Sequence, residues 1–479
     1  MNQNVLSCES GCVTTPDFIC KRACNIIRQA VLDGIQTSGL PEGNPKRLIL
    51  LALNWERDKD PRTPLGHCSI LSSLRAAKTD TISLVEQVDA SDLHELCSRI
   101  CSYSHANAPS DLAIGVYCWN DMIVKRLLPA VRRIGFKGRI ILGGPQISFL
   151  ESGFKTTYPD ADIFICGDGE EALKRVMIEQ GDIDFSGIHY GDAPSRISQG
   201  ICDLKNLPSP WLCQDSRIDS GSNIRWETMR GCPYSCNFCQ HRGKKAGVRY
   251  FPIERILSEI ELFCIRKVSS IAVLDPVFNL NHKRAIKILK AFAERKFAGH
   301  ISLQCRAELV TDEFLELARR LNVTLEYGLQ TIHGDEGVAI KRINDITKVE
   351  RALLKTRLLG IKHEVSVMFG LPNQTQQSFG QTVEWCLNRE VPVIKAFPLM
   401  LLKGTELAQC ASDWNLVESD TPIPWVKSSK TFNEKDWRKM NAISSALQRT
   451  ENKHPKTLRE LLDDNTEDYN CERWSPSSL

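Results

Sequence analysis

Residues 229–243 read "MRGCPYSCNFCQHRG" and hold three cysteines as C-x3-C-x2-C: Cys232, Cys236 and Cys239. A closed structural zinc site takes four ligands, and iron–sulfur clusters that only carry electrons or brace a fold are held by four cysteines. Three thiolates bind three irons of a [4Fe–4S] cluster and leave the fourth open, the mark of a metal site that works on something. The flanking Gly231 permits a turn before the first ligand, and Pro233 stiffens the next bond.

Working outward, residues 223 to about 412 alternate between strand and helix. Apolar strands are expected near "IRWETM", "SIAVLD", "ISLQCRA", "TLEYGLQ", "HEVSVMFG" and "VIKAFPLM", with helical periodicity in "IERILSEIELFCIRK", "DEFLELARRL" and "VERALLKTRLLG". Six such units define a partial (β/α)6 TIM-like barrel, and Cys232 follows its first strand, at the carboxyl mouth where barrels place their chemistry.

Upstream, residues 46–185 alternate in the same way, from "KRLILLALNW" through "DLAIGVYCWN" and "GRIILGGP" to "ADIFICGDGEEAL". This predicts a Rossmann-like, doubly wound parallel sheet covered on both faces. Gly143-Gly144-Pro145 and Gly167-Asp168-Gly169-Glu170-Glu171 follow successive strands, at the carboxyl edge where open α/β sheets bind ligands. Residues 1–45 read as an extension, 186–222 as a linker and 413–479 as a short α-rich carboxyl-terminal region. Its tryptophans, with Trp414, Trp425, Trp437 and Trp474 among them, pack a core or line a lid.

Composition bounds the rest. The 479 residues carry 61 Lys and Arg against 58 Asp and Glu, a net charge of +3 that gives no general case for nucleic acid. No run of about 18 apolar residues offers a membrane span. The first residues lack a signal-peptide plan, so a cytoplasmic protein with mostly reduced thiols is expected. Cys8, Cys12, Cys20 and Cys24 form two C-x3-C pairs, read as thiols one helical turn apart and not as a second metal site. Arg242, Lys244, Lys245 and Arg249 read equally as a solvated loop or as contacts for a phosphate or carboxylate.

"RGCPYSCNFC" resembles the cluster motif of the radical S-adenosylmethionine (SAM) enzymes. The resemblance implies that SAM chelates the open iron and is cleaved to a 5′-deoxyadenosyl radical, with an external electron donor such as flavodoxin or ferredoxin. It places Phe238 beside the adenine. "VLDPVFNLN" is similar to the segment after the second strand, which makes Asp275 and Asn279 candidates for the SAM amine. "QCRAEL" puts Arg306 and Glu308 at the mouth, and "GLQT" faces Gln330 to SAM. "MFGLPNQT" resembles a "GLPGET" turn and contributes Gly370; Asn373 and Gln374 stand where that turn has Gly and Glu. "LLKGTELA" resembles the segment after the sixth strand.

The front half is similar to the cobalamin-binding domain of one radical SAM subclass, carried by "TPLGHCSILSSLR", "ILGGPQIS" and "ICGDGEEAL". This implies cobalamin contacts at Gly143, Gly144, Pro145, Gly167, Asp168, Gly169 and Glu170, and C-methylation of a small-molecule or peptide substrate. "DLHELC" departs from the D-x-H-x-x-G motif that supplies a cobalt ligand, so His94 reads as a helix-surface residue. Other readings stay open: a radical rearrangement or cyclisation beside a front domain that binds no cobalamin, a methylthiotransferase, and a non-catalytic iron–sulfur protein. Against the methylthiotransferase, only Cys118 and Cys166 lie near front strand ends, and the tail "RELLDDNTEDYNCE" is acidic.

Overall fold

The structure, a computed structural model, describes residues 47–463 apart from 56–60, 62, 88–91, 105–109, 151, 192–197, 214–217, 242–246 and 422. The thiols Cys8, Cys12, Cys20 and Cys24, the basic residues Arg242, Lys244 and Lys245, and Trp474 lie outside the described residues.

The front sheet has six strands: β1 Leu48–Asn54, β2 Thr81–Gln87, β3 Asp111–Gly115, β4 Ile140–Gly143, β5 Ile163–Ile165 and β6 Ile188–Tyr190. Their order is β2-β1-β3-β4-β5-β6. β1 is "LILLALN", apolar on both faces and buried at six of its seven positions, because helices cover it front and back. β1 to β5 run parallel, as expected. β6 differs: it pairs antiparallel with β5, so the segment read as linker from residue 186 first completes this sheet. The strand order reverses between β1 and β3, and that switch point, more than the loops after β4 and β5, is where such a sheet opens a ligand crevice.

The second sheet is built from β7 Asn223–Trp226, β10 Ser270–Val273, β11 His300–Cys305, β12 Val323–Gln330, β13 Lys362–Phe369 and β14 Val393–Pro398, all parallel and in sequential order. β7 and β14 are its free edges, so it is a partial barrel of six strands. Outward residues such as Leu325, Tyr327 and Leu329 on β12 are buried under the helices. The alternate residues, Thr324, Glu326, Gly328 and Gln330, face the lumen and are only half-buried. A short hairpin, β8 Met229–Arg230 with β9 Arg249–Tyr250, closes the base of the cysteine loop.

After the barrel, helix Glu434–Arg449 starts in a capping box at Asn433 and packs on β14. Trp437 is buried there, stacked on Trp425 with ring centroids 5.5 Å apart and tilted against Phe369. Trp414 and Trp425 join the same core. These tryptophans fill the barrel's flank and form no lid. Among the described residues no helix is long and apolar enough to cross a membrane.

Candidate active site at the barrel mouth

The cysteine loop leaves β8 at the carboxyl end of the barrel. Gly231 sits at φ 87°, and a Cβ there would lie 2.3 Å from the carbonyl oxygen of Gly247, so only glycine fits where the loop returns on itself. Cys232, Cys236 and Cys239 are free thiols. The loop is pinned from the side: the Asn237 N–H donates to Ile340 O at 3.1 Å, its Nδ2 to Ala339 O at 2.7 Å, and Leu407 N–H donates to Asn237 O. Gln240 Nε2 donates to Lys403 O at 2.9 Å. Phe238 packs half-buried against the barrel core.

Burial pushes the Cys232 and Cys239 thiols up, and the guanidinium of Arg342 pulls both partly back. Among the described residues no three His, Cys, Asp or Glu side chains converge on a single ion. A four-iron cluster takes its thiolates on separate corners, so the donor set, three free thiols on one pinned loop, fits a cluster and not a mononuclear metal. Iron binding deprotonates such thiols outright.

The residues around the loop divide into two groups. Arg306 lies 4.1 Å from the centre of the Tyr234 ring, within the cysteine motif, and pairs with Glu308 at 3.0 Å. Gln330 adopts φ 64° at a bulge in β12, and its buried Oε1 has no partner, an acceptor left over at the mouth. Asp275 and Asn279 are instead bonded to strand ends. Asp275 is 1% exposed, and its oxygens accept from Thr228 N at 2.6 Å, Thr228 Oγ1 at 2.5 Å and Met229 N at 3.1 Å. Burial still pushes this carboxyl up to about 6. Asn279 clamps the backbone of Arg306 through both its amide atoms. Both residues shape the mouth through bonds to neighbouring strand ends.

Gly370 is at φ 86°, with its N–H donated to Gln374 Oε1. The departures at 373 and 374 are accommodated. Asn373 takes φ 62°, a conformation Asn tolerates better than other side chains. Gln374, fully buried, accepts from Gly370 and Leu371 and donates to Glu336 and Met368 O.

Sequence reasoning missed Arg342. It donates to Cys236 Sγ at 3.9 Å and to Gly328 O. It lies in a loop between helices, and nothing in its local sequence sets it apart from other arginines. A second miss lies in the barrel lumen. Glu326 is pushed up to about 7 by burial and by Glu364, while Lys395 pairs with Glu364 at 2.6 Å.

At the front-sheet edge the glycines serve the chain. A Cβ on Gly144 (φ 90°) would lie 2.7 Å from Val116 O, and one on Gly167 (φ 89°) 2.3 Å from Gly200 O. At Gly143 and Gly169 the nearest neighbours are at ordinary contact distance, and Pro145 starts a helical turn. The carboxylates cross to the barrel. Glu170 accepts from Arg230 Nη2 at 2.6 Å and from Ser69 Oγ at 2.7 Å; Asp168 accepts from Arg249 Nη1 at 2.9 Å. Burial would raise the Glu170 carboxyl, but Arg230 overrides it and holds it at about 2. Asp168 and Glu170 are thus tied to the barrel's arginines.

The open polar atoms are elsewhere. Asn120 donates to Leu53 O and Gly115 O, tying the carboxyl ends of β1 and β3 at the switch point. Beside it Tyr117 and Trp119 stack with centroids 4.5 Å apart, and the Trp119 indole N–H is buried without a partner. Gln146, 6% exposed, has an unpaired Oε1. A buried donor and a buried acceptor left over at this edge fit a large polar ligand. His94 is on the helix surface: Asp92 caps that helix by accepting its N–H at 2.7 Å. Cys166 is buried against Ile147 O.

A sequence profile described as the Radical SAM superfamily matches residues 226–386. The chain is 30% identical over 211 residues to 2-(S-pantetheinyl)-carbapenam-3-carboxylate methyltransferase of Streptantibioticus cattleyicolor, covering 40% of this chain and 30% of that one. It is 24% identical over 299 residues to the cobalamin-dependent radical SAM methyltransferase TokK of Streptomyces tokunonensis, covering 57% and 44%. The chain therefore spans less than half the length of either curated relative. In fold it is similar to the radical SAM methyltransferase TsrM of Kitasatospora setae, solved with cobalamin and a [4Fe–4S] cluster, at TM-score 0.64 and 16% identity over 79% of this chain and 78% of that one. The open six-stranded barrel with its three-thiolate loop is a radical SAM domain. Residues 226–386 carry the Radical SAM superfamily match, and most of the chain shares the fold of a radical SAM methyltransferase.

Proposed function

We propose that this chain is a cobalamin-dependent radical SAM methyltransferase that methylates carbon in a small molecule or peptide. The observation that carries the reading is the direct contact of two ligand-binding edges: Glu170 and Asp168, at the carboxyl edge of the front sheet, bond the arginines at both ends of the cysteine loop. Whatever binds one edge faces whatever binds the other.

Cys232, Cys236 and Cys239 hold the cluster and leave one iron for SAM. Arg306, Glu308 and Gln330 offer SAM a cation, a carboxylate and an amide acceptor, while Phe238 gives an apolar wall. Trp119 and Gln146 supply the front ligand with a donor and an acceptor. When bound, the cluster supplies the electron that cleaves SAM, and cobalamin the methyl group. The protein holds them oriented in a site from which water is excluded. An external reductant such as flavodoxin or ferredoxin feeds the cluster.

A second reading is a radical SAM enzyme that uses SAM alone for rearrangement or cyclisation. It is favoured by the front glycines and carboxylates being committed to the chain itself. Anaerobic purification with cobalamin supplied, followed by iron, sulfide and corrin assays, tests both. About four irons with one corrin supports the methyltransferase; four irons without corrin selects the second reading; no iron sinks both.

A further inference from the structure

Arg230 immediately precedes Gly231 and Cys232. Its guanidinium bonds Glu170 at 2.6 and 3.3 Å, Asp168 at 3.4 Å and Glu227 at 2.7 Å. Arg249, across the β8–β9 hairpin, bonds Asp168 and also Cys202 O, both at 2.9 Å. Glu170 is fixed from its own side by Ser69 Oγ at 2.7 Å and, more loosely, by the Cys202 thiol at 3.6 Å; it is 4% exposed. The cysteine loop is thus gripped at both of its roots by two carboxylates of the other sheet.

Three carboxylates and two guanidinium groups share this space, a net charge of −1. Burying such a set brings little stability over apolar packing of the same volume; what it brings is one fixed geometry, since a guanidinium fork accepts carboxylates in few orientations. Apolar packing between the domains would tolerate a slide; this network does not.

We propose that Glu170 is a positioning residue that acts through Arg230 to fix the cysteine loop against the front sheet, setting the separation between the cluster and the front-domain ligand. The cluster-to-corrin distance rests on the functional reading above; the contact itself does not.

The test uses the full-length holoprotein with cluster and added hydroxocobalamin, as wild type, Glu170→Gln and Ser69→Ala. Hydrogen exchange is followed by mass spectrometry, and the magnetic interaction between Co(II) corrin and the dithionite-reduced cluster by electron paramagnetic resonance. Glu170→Gln should keep its iron. Exchange in 229–241 should rise roughly fivefold or more beyond the change in 393–398 and 434–449, and the spin interaction should weaken. Ser69→Ala, which removes a partner within the front domain only, should leave loop exchange near wild type.

Unchanged loop exchange in Glu170→Gln overturns the proposal. So does an equal rise in Ser69→Ala, or a rise in 229–241 no larger than in 393–398 and 434–449, since either marks lost packing and not a lost grip. If Glu170→Gln does not fold, Arg230→Lys replaces it with the same expected readings, because lysine keeps the charge but cannot span both carboxylates. Wild type that holds iron but no corrin defeats the functional reading alone, and the exchange comparison still decides the grip.

Discussion

The barrel mouth and the front-sheet edge are the same kind of place, the carboxyl end of parallel strands, yet they spend their special residues differently. At the mouth the three cysteines remain free thiols, and Arg342 reaches one of them. At the edge, Gly144 and Gly167 are used up by close backbone contacts, and Asp168 and Glu170 by arginines. Thiolates at C-x3-C-x2-C spacing on one loop have few uses other than a metal. A glycine or a carboxylate at a strand end has many, and the chain's own needs are met first.

Predictions follow that difference, beginning with the largest effect. Replacing Cys232, Cys236 or Cys239 by Ala should remove reductive 5′-deoxyadenosine formation, followed by chromatography after dithionite reduction; a variant that still forms it would break the assignment of the mouth. At the edge, Gly144→Ala should cost about 2–4 kcal/mol in chemical denaturation with no cofactor present, because its Cβ meets Val116 O at a positive φ. Gly143→Ala has ordinary room and should change stability by less than about 0.5 kcal/mol. If Gly143→Ala nevertheless weakens corrin binding in a direct titration, that position serves a ligand as well as the chain.

The Glu170 carboxyl lies below its ordinary 4.5, at about 2. Its contribution is therefore full above pH 4.5 and is lost as pH falls toward 2. The stability gap between wild type and Glu170→Gln, about 3–5 kcal/mol at neutral pH, should close over that range in calorimetry of the iron-free chain. A gap that widens in acid would contradict the ion pair. At the turn after β13, Asn373→Val should cost about 1–2 kcal/mol by thermal melting, since φ is 62° there, and Asn373→Gly should be nearly neutral.

The strands and their parallel sense were legible because apolar runs such as β1 and alternating runs such as β12 carry their period openly. β6 was not: "IHY" is three residues long and lies among Gly and Ser, too short for any period to show. The three cysteines were legible as one group from spacing. The bonds that Asp275 and Asn279 make were not, because a sequence does not tell whether a carboxylate faces a ligand or the strand beside it. Arg342, Trp119 and Gln146 depend on contacts between segments far apart in the chain, and a local motif cannot announce those. The switch point between β1 and β3 depends on strand order, which alternation alone leaves undetermined.

The hairpin β8–β9 has a consequence for how iron enters. Met229 pairs with Tyr250 and Arg230 with Arg249, and Gly231 meets Gly247 almost in contact. The ends of the loop are therefore joined by backbone pairing that uses none of the thiols. A floppy ligand loop would lose its closure entropy when metal arrives and bind more weakly by that amount. Here the hairpin closes the loop's ends as the chain folds, so a metal taken by the three thiols would have that much less chain to order.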